Sequence, residues 1–180
     1  MKPDWTLEKL GSLLNGKVYG KKDFPVTSLS IDSRTLTPSG DTLFVALTGE
    51  QHDGHNYIGE LYKRGIRAFL VSTLPDHRKF PEAGFCQVDN TLDGLQAIAS
   101  ARRQLFDGEV LAITGSNGKT IVKEWIHQCL GDTIRIHRSP KSYNSQVGVP
   151  LSVWGLNPEH QLALIEAGIS RPGEMEKLYR

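Results

Sequence analysis

An α/β fold in two units is predicted by three observations. Short apolar runs alternate with amphipathic stretches along the 180 residues, the order expected where strands and helices form separate layers. An Asp107-Gly108 turn signal lies near the middle. The second half then opens on an uninterrupted apolar run that passes at once into a glycine-containing loop and an amphipathic stretch. The chain therefore reads as an N-terminal α/β domain over 1–107 and the front part of a parallel-sheet domain over 108–180.

In the first half the strand candidates are Ser28–Ser33, Thr42–Leu47, Arg67–Ser72 and Phe85–Val88, with a helix among them over Tyr57–Arg64. Leu92, Leu95, Ile98, Ala99 and Leu105 recur on one helical face, which predicts a helix over Thr91–Phe106 capped by Asn90 or Thr91. In the second half Val110–Thr114 (VLAIT) reads as a strand covered on both faces, followed by Gly115–Thr120 (GSNGKT). Val122, Trp125, Ile126, Cys129 and Leu130 then form an apolar stripe, with Lys123, Glu124, His127 and Gln128 facing away. Thr133–Ile136 and Leu162–Glu166 are two more strands, and a helix is expected from Pro172 at a permitted first-turn position. Three strands are fewer than the roughly five or more of an ordinary nucleotide-binding sheet, so the second domain is expected to be incomplete at residue 180.

Composition excludes several classes. Lys plus Arg number 21 against 20 Asp plus Glu, a net charge of +1, so no field of one sign draws the chain to nucleic acid or anionic lipid. No run of roughly 18 apolar residues is present to insert into a membrane, and the N-terminus lacks a signal-peptide core. Cys86 and Cys129 show no metal spacing and read as reduced thiols of a cytoplasmic protein. His52 and His55 around Asp53-Gly54 read as a polar loop, Trp5, Trp125 and Trp154 as packing residues, and Lys21-Lys22 and Arg102-Arg103 as solvated pairs.

The loop carries the chemistry. A triphosphate is held most simply by a tight turn whose N–H groups point inward at a helix N-terminus. Gly115 and Gly118 permit that turn, Lys119 supplies a cation for the outer phosphates, and Thr120 offers a hydroxyl to Mg²⁺. The strict P-loop spacing is not met, because Ile113 stands where its first glycine would be. An ordinary strand-to-helix turn is the competing reading, and the flanking strand and helix favour ATP. Glu166 ends the run LALIE at the carboxyl edge of a strand, where ligands of open α/β sheets bind, and is a candidate Mg²⁺ ligand.

Three segments, ITGSNGKT (Ile113–Thr120), SYNSQVGVPLSV (Ser142–Val153) and EAGISRPGEM (Glu166–Met175), resemble in order and spacing the central ATPase segment of the Mur ligases, the amide-forming enzymes of peptidoglycan synthesis. SIDSRTLTPSGDTLFVALTGEQHDGHNYI (Ser30–Ile58) is similar to that family's uridine-nucleotide domain. Within the family, the blocks after Asn144 and Glu166 resemble those of the members that add D-alanyl-D-alanine. Ser170 stands where many members carry Asn.

The resemblance implies an ATP-dependent ligase joining D-alanyl-D-alanine to UDP-N-acetylmuramoyl-tripeptide. The substrate carboxylate would attack the γ-phosphate of ATP, and the amine would displace phosphate from the acyl phosphate so formed. It implies Gly115, Ser116, Asn117, Gly118, Lys119 and Thr120 as the ATP loop, with Asn144 beside the phosphates or substrate. Lys119 and Glu166 would act on the transferring phosphoryl group, and Thr120 and Glu166 would hold Mg²⁺. Ser33, Arg34, Gln51 and His52 would contact the uridine diphosphate portion. The family's carbamylated lysine and dipeptide-binding domain are expected beyond Arg180, which would leave this chain inactive alone. The alternatives are a family member adding a third-position diamino acid, and a non-catalytic ATP-binding module.

Overall fold

The computed structural model describes residues 5–34, 39–49, 52–169 and 172–179. The chain divides into two units, Pro3–Ile98 and Ala99–Arg180.

The first unit starts with helix α1 (Leu7–Leu13), capped by the Thr6 hydroxyl, which accepts a hydrogen bond from the Lys9 N–H. Five strands follow: β1 (Lys17–Gly20), β2 (Ser28–Ser30), β3 (Thr42–Val45), β4 (Ala68–Val71) and β5 (Gly84–Gln87). They lie in the order β1-β5-β4-β3-β2, parallel except for β1 against β5. Strands β3 and β4 are buried along their whole length, which is why they read as unbroken apolar runs rather than alternating ones. Phe69 stacks on Phe85 with ring centroids 5.2 Å apart and meets Phe44 edge-on at 6.4 Å. Ala46, Ile58, Leu61 and Ile66 complete that core.

Neither α1 nor β1 is evident from apolar periodicity, since each is short and β1 gains its partner only by pairing with the distant β5. The helix expected over Tyr57–Arg64 is a 3₁₀ turn at Gly54–Tyr57 running into α2 (Ile58–Lys63). Helix α3 (Thr91–Gln104) is capped by Asn90, whose Oδ1 accepts from the N–H groups of Leu92 and Asp93. The Thr91 hydroxyl instead donates to the Ala46 carbonyl.

The second unit holds a parallel sheet in the order β6-β8-β7, formed by β6 (Glu109–Ile113), β7 (Ile136–Arg138) and β8 (Leu162–Glu166). Helix α4 (Lys119–Leu130) lies against all three strands, and α5 (Gly148–Trp154) packs on β8. Phe106, Val149, Leu156, Ala163 and Ile165 make the core. A last helix, α6, spans Glu174–Tyr179.

Five expectations are corrected here. Strand β6 is not covered on both faces: Leu111 is exposed. Strand β7 begins at Ile136 because Thr133 and Ile134 donate their N–H groups to the Leu130 carbonyl and close the end of α4 instead. Helix α6 begins at Glu174, because Gly173 sits at φ +84° and separates it from Pro172.

The largest correction concerns α4. Its apolar stripe points outward, with Trp125 64% exposed and Val122 and Cys129 exposed, while Lys123 is fully buried. The partners of Lys123 described below explain that orientation. Arg102 is not simply solvated either, since it donates to the Leu156 carbonyl and lies over the Trp154 ring.

Candidate functional site

The loop between β6 and α4 turns on two glycines, Gly115 at φ +134° and Gly118 at φ +78°, conformations that L side chains rarely adopt. Gly118 occupies the cap position of α4, no side chain caps the helix, and its first turn carries no acidic residue. The opening N–H groups of the helix, which have no intrahelical acceptor, and its positive dipole end therefore face the loop. Lys119 is the first helical residue, and its Nζ donates to the Gly115 carbonyl at 2.7 Å, so the ammonium arcs back over the turn. Ser116 and Asn117 form the exposed crest.

Parallel pairing of β6 with β8 sets Ile113 opposite Glu166, which delivers the carboxylate to the mouth of the loop. The Thr120 hydroxyl donates to Glu166 Oε2 at 3.0 Å. On the other side, Lys123 Nζ is 2.8 Å from Glu166 Oε1, with both side chains fully buried. That ion contact lies off the hydrogen-bonding direction, so Oε1 is a buried acceptor without a hydrogen bond. Lys123 also donates to the carbonyls of Ser139 at 2.7 Å and Lys141 at 2.6 Å. Sequence reasoning missed Lys123 by following the apolar stripe. The available signal was spacing, since Lys123 sits one helical turn beyond Lys119 and shares its face.

Asn144 joins the same place through backbone: its carbonyl accepts from the Gly168 N–H at 2.7 Å, just after β8. A cleft of about 340 Å³ is lined by Lys119, Asn144, Ser145, Gln146, Gly168 and Glu174, among others. Lys119, Thr120, Asn144 and Glu166 are thus gathered at one end of the second sheet. A hollow of about 420 Å³ beside α1 and β1 lacks any such convergence.

The residues fit a magnesium nucleotide. Thr120 and Glu166 offer hard oxygen donors, a hydroxyl and a buried carboxylate, and Mg²⁺ takes few protein ligands, completing its shell with water and phosphate. Among the described residues no cluster of three or more His, Cys, Asp or Glu could hold a metal by itself.

The residues expected to meet uridine diphosphate lie in the first unit. Ser33 is buried and its carbonyl accepts from Arg64. Arg34 is exposed and pairs with Asp32 at 2.9 Å, a hydrogen-bonded contact that lowers the Asp32 pKa. His52 is exposed, and Gln51 lies outside the described residues. Both ring nitrogens of His55 are engaged: Nδ1 contacts Asp53 Oδ1 at 2.6 Å, and Nε2 accepts from the Ser72 N–H at 3.0 Å. The His55 backbone N–H also bonds Asp53 and, with the ring, holds that carboxyl below its ordinary range.

A parallel sheet with a glycine turn, a lysine-threonine helix start and a strand-end carboxylate defines a nucleotide-phosphate-binding class of α/β protein. The chain belongs to the Mur ligase family. Residues 113–180 match the Mur ligase middle domain, and residues 25–103 match a model described as the Mur ligase family catalytic domain. The UDP-N-acetylmuramoyl-tripeptide--D-alanyl-D-alanine ligase of Bacillus subtilis is 35% identical over 159 residues, covering 86% of this chain and 33% of the relative. That of Escherichia coli is 35% identical over 170 residues, 94% of this chain and 36% of the relative. A solved UDP-N-acetylmuramoylalanyl-D-glutamyl-2,6-diaminopimelate--D-alanyl-D-alanyl ligase from Acinetobacter baumannii superposes with a TM-score of 0.86 at 29% identity, over 97% of this chain and 39% of that one. The MurF ligase of Thermotoga maritima, solved in complex with ADP, gives 0.71 at 26% identity, over 84% and 34%. The chain spans about a third of the length of the curated relatives it matches.

Among the described residues no helix is long and apolar enough to cross a membrane.

Proposed function

We propose that this chain supplies the uridine-nucleotide domain (1–107) and the phosphate-binding front of the ATPase domain (108–180) of a cytoplasmic ligase of cell-wall precursor synthesis. That ligase joins D-alanyl-D-alanine to UDP-N-acetylmuramoyl-tripeptide at the expense of ATP. The observation that carries the reading is the hydrogen bond from Thr120, which follows Lys119 at the start of α4, to Glu166 at the end of β8, in a chain whose relatives bear that ligase's name.

In this reading the loop N–H groups and Lys119 bind the phosphates and offset charge building on the transferring phosphoryl group. Thr120 and Glu166 would hold Mg²⁺, which when bound neutralises phosphate charge. Asn144 borders the cleft on the side of the phosphates or the substrate. Ser33, Arg34, Gln51 and His52 hold the uridine diphosphate portion, so that the peptide's terminal carboxylate is presented in line with ATP.

The test is ADP release by the intact protein. It should require both UDP-N-acetylmuramoyl-tripeptide and D-alanyl-D-alanine. Turnover with the dipeptide precursor and a diamino acid would overturn the choice of acceptor, and nucleotide binding without any turnover would overturn the enzyme reading.

A further inference from the structure

Lys123 has no role in the reading above, yet its charge is fully buried and closely engaged. Its ammonium meets four partners: Glu166 Oε1 at 2.8 Å, the Ser139 carbonyl at 2.7 Å, the Lys141 carbonyl at 2.6 Å and, at the longer distance of 3.5 Å, the half-exposed Glu124 carboxylate. Stability alone is a poor reason for such a group. A buried ion pair is often no more stabilising than an apolar pair of the same volume, because desolvation cancels most of the attraction.

The partners suggest what the lysine does instead. The two oxygens of Glu166 are divided between residues one turn apart on α4, Oε2 to Thr120 and Oε1 to Lys123. That division sets the rotation of the carboxylate, so that Oε2 is the oxygen presented at the phosphate loop. The carbonyls belong to the segment that leads from β7 to Asn144. Within it Lys141 adopts φ +49°, a left-handed conformation unfavourable for a residue with a Cβ. A carbonyl anchored on a buried ammonium is a direct means of keeping it there. The Ser139 hydroxyl, in turn, accepts from the Glu166 N–H at 3.1 Å.

We propose that Lys123 is a positioning residue: one buried ammonium sets the Glu166 carboxylate toward Thr120 and holds the 139–144 segment, so that the cation ligand and the Asn144 side of the cleft are arranged together before nucleotide binds. The cation part rests on the proposed magnesium-ATP reading, whereas the tether does not.

The experiment compares wild type with Lys123→Met in the intact protein, reading amide exchange without metal and ATP affinity with and without Mg²⁺. In the metal-free protein, exchange over 139–144 should rise by about tenfold or more while the first unit is unchanged. The Mg²⁺-dependent gain in ATP affinity should fall by about tenfold or more, with metal-free affinity little altered, as expected for loss of a charged contact. Lys123→Arg, which keeps the charge, should recover part of both effects. Unchanged exchange together with an unchanged magnesium gain would overturn the proposal. Wild type failing to bind magnesium-ATP would instead sink the reading of the site, leaving the exchange arm to judge the tether. If Lys123→Met does not fold, Lys123→Gln takes its place with the same expectations. If neither folds, Lys123 is a folding element and the proposal is wrong.

Discussion

At the scale of single residues, the site places opposite demands on its two lysines. Lys119 lies at the surface of the loop and holds one carbonyl, so its replacement leaves no buried group unpaired. Lys119→Ala should therefore shift folding stability by no more than about 0.5 kcal/mol. The same change removes a charge-assisted phosphate contact of about 1.5 to 3 kcal/mol, or roughly ten- to a hundredfold in ATP affinity. A nucleotide titration beside a thermal melt checks both halves, and unaltered affinity would remove Lys119 from the phosphate site. Lys119 and Thr120 were legible because Gly-Lys-Thr after an apolar run is a local pattern. Lys123 was not, because the groups that surround its ammonium come from the segment after β7 and from β8, and no local pattern marks a lysine as buried.

At the scale of elements, strand β4 and helix α4 show two outcomes for apolar sequence. Phe69 on β4 is fully buried between Phe44 and Phe85, and Phe69→Ala should cost about 3 to 5 kcal/mol through lost contacts and a cavity. Trp125 on α4 is 64% exposed, so Trp125→Ala should cost no more than about 0.5 kcal/mol. Urea titration of each variant checks the pair, and a large loss at Trp125 would mean that α4 faces the other way. Periodicity identified α4 as a helix because the 3.6-residue repeat is a property of the segment. It could not say which face would be buried, since that depended on the buried carboxylate of Glu166 at the end of β8. Strand β8 was predicted with its observed bounds, Leu162–Glu166, because a short buried strand is one apolar run. Helix α5 is short and was legible only as part of a family segment.

At the scale of the whole molecule, the pH response follows from two partly buried histidines. Burial lowers the pKa of His137, whose Nε2 donates to the Ser152 carbonyl at 2.7 Å, and of His160, whose ring centroid is 5.3 Å from that of His137. Unfolded histidine titrates near about 6.5. Below that value the unfolded chain takes up protons before the folded one, so stability should decline as pH falls from about 6.5 toward the folded values. Asp41, held low by the Ser39 and Thr27 hydroxyls, and Asp53 add losses only at more acid pH, below the ordinary carboxyl range. Denaturant midpoints at about pH 7.5 and pH 5.5 should differ, and His137→Asn should narrow the difference; equal midpoints in wild type would contradict the assignment. The sequence by itself determined that a glycine turn links an apolar strand to a helix beginning Lys-Thr, and that its segments are those of a Mur ligase. Backbone freedom and chain adjacency are local, and so can be read without a fold. Only the tertiary structure decided that Glu166 meets Thr120 and Lys123, that α4 turns its lysine inward, and that β1 joins its sheet antiparallel. A buried charge must find its partner, and that partner comes within reach only once β8 is in register between β6 and β7.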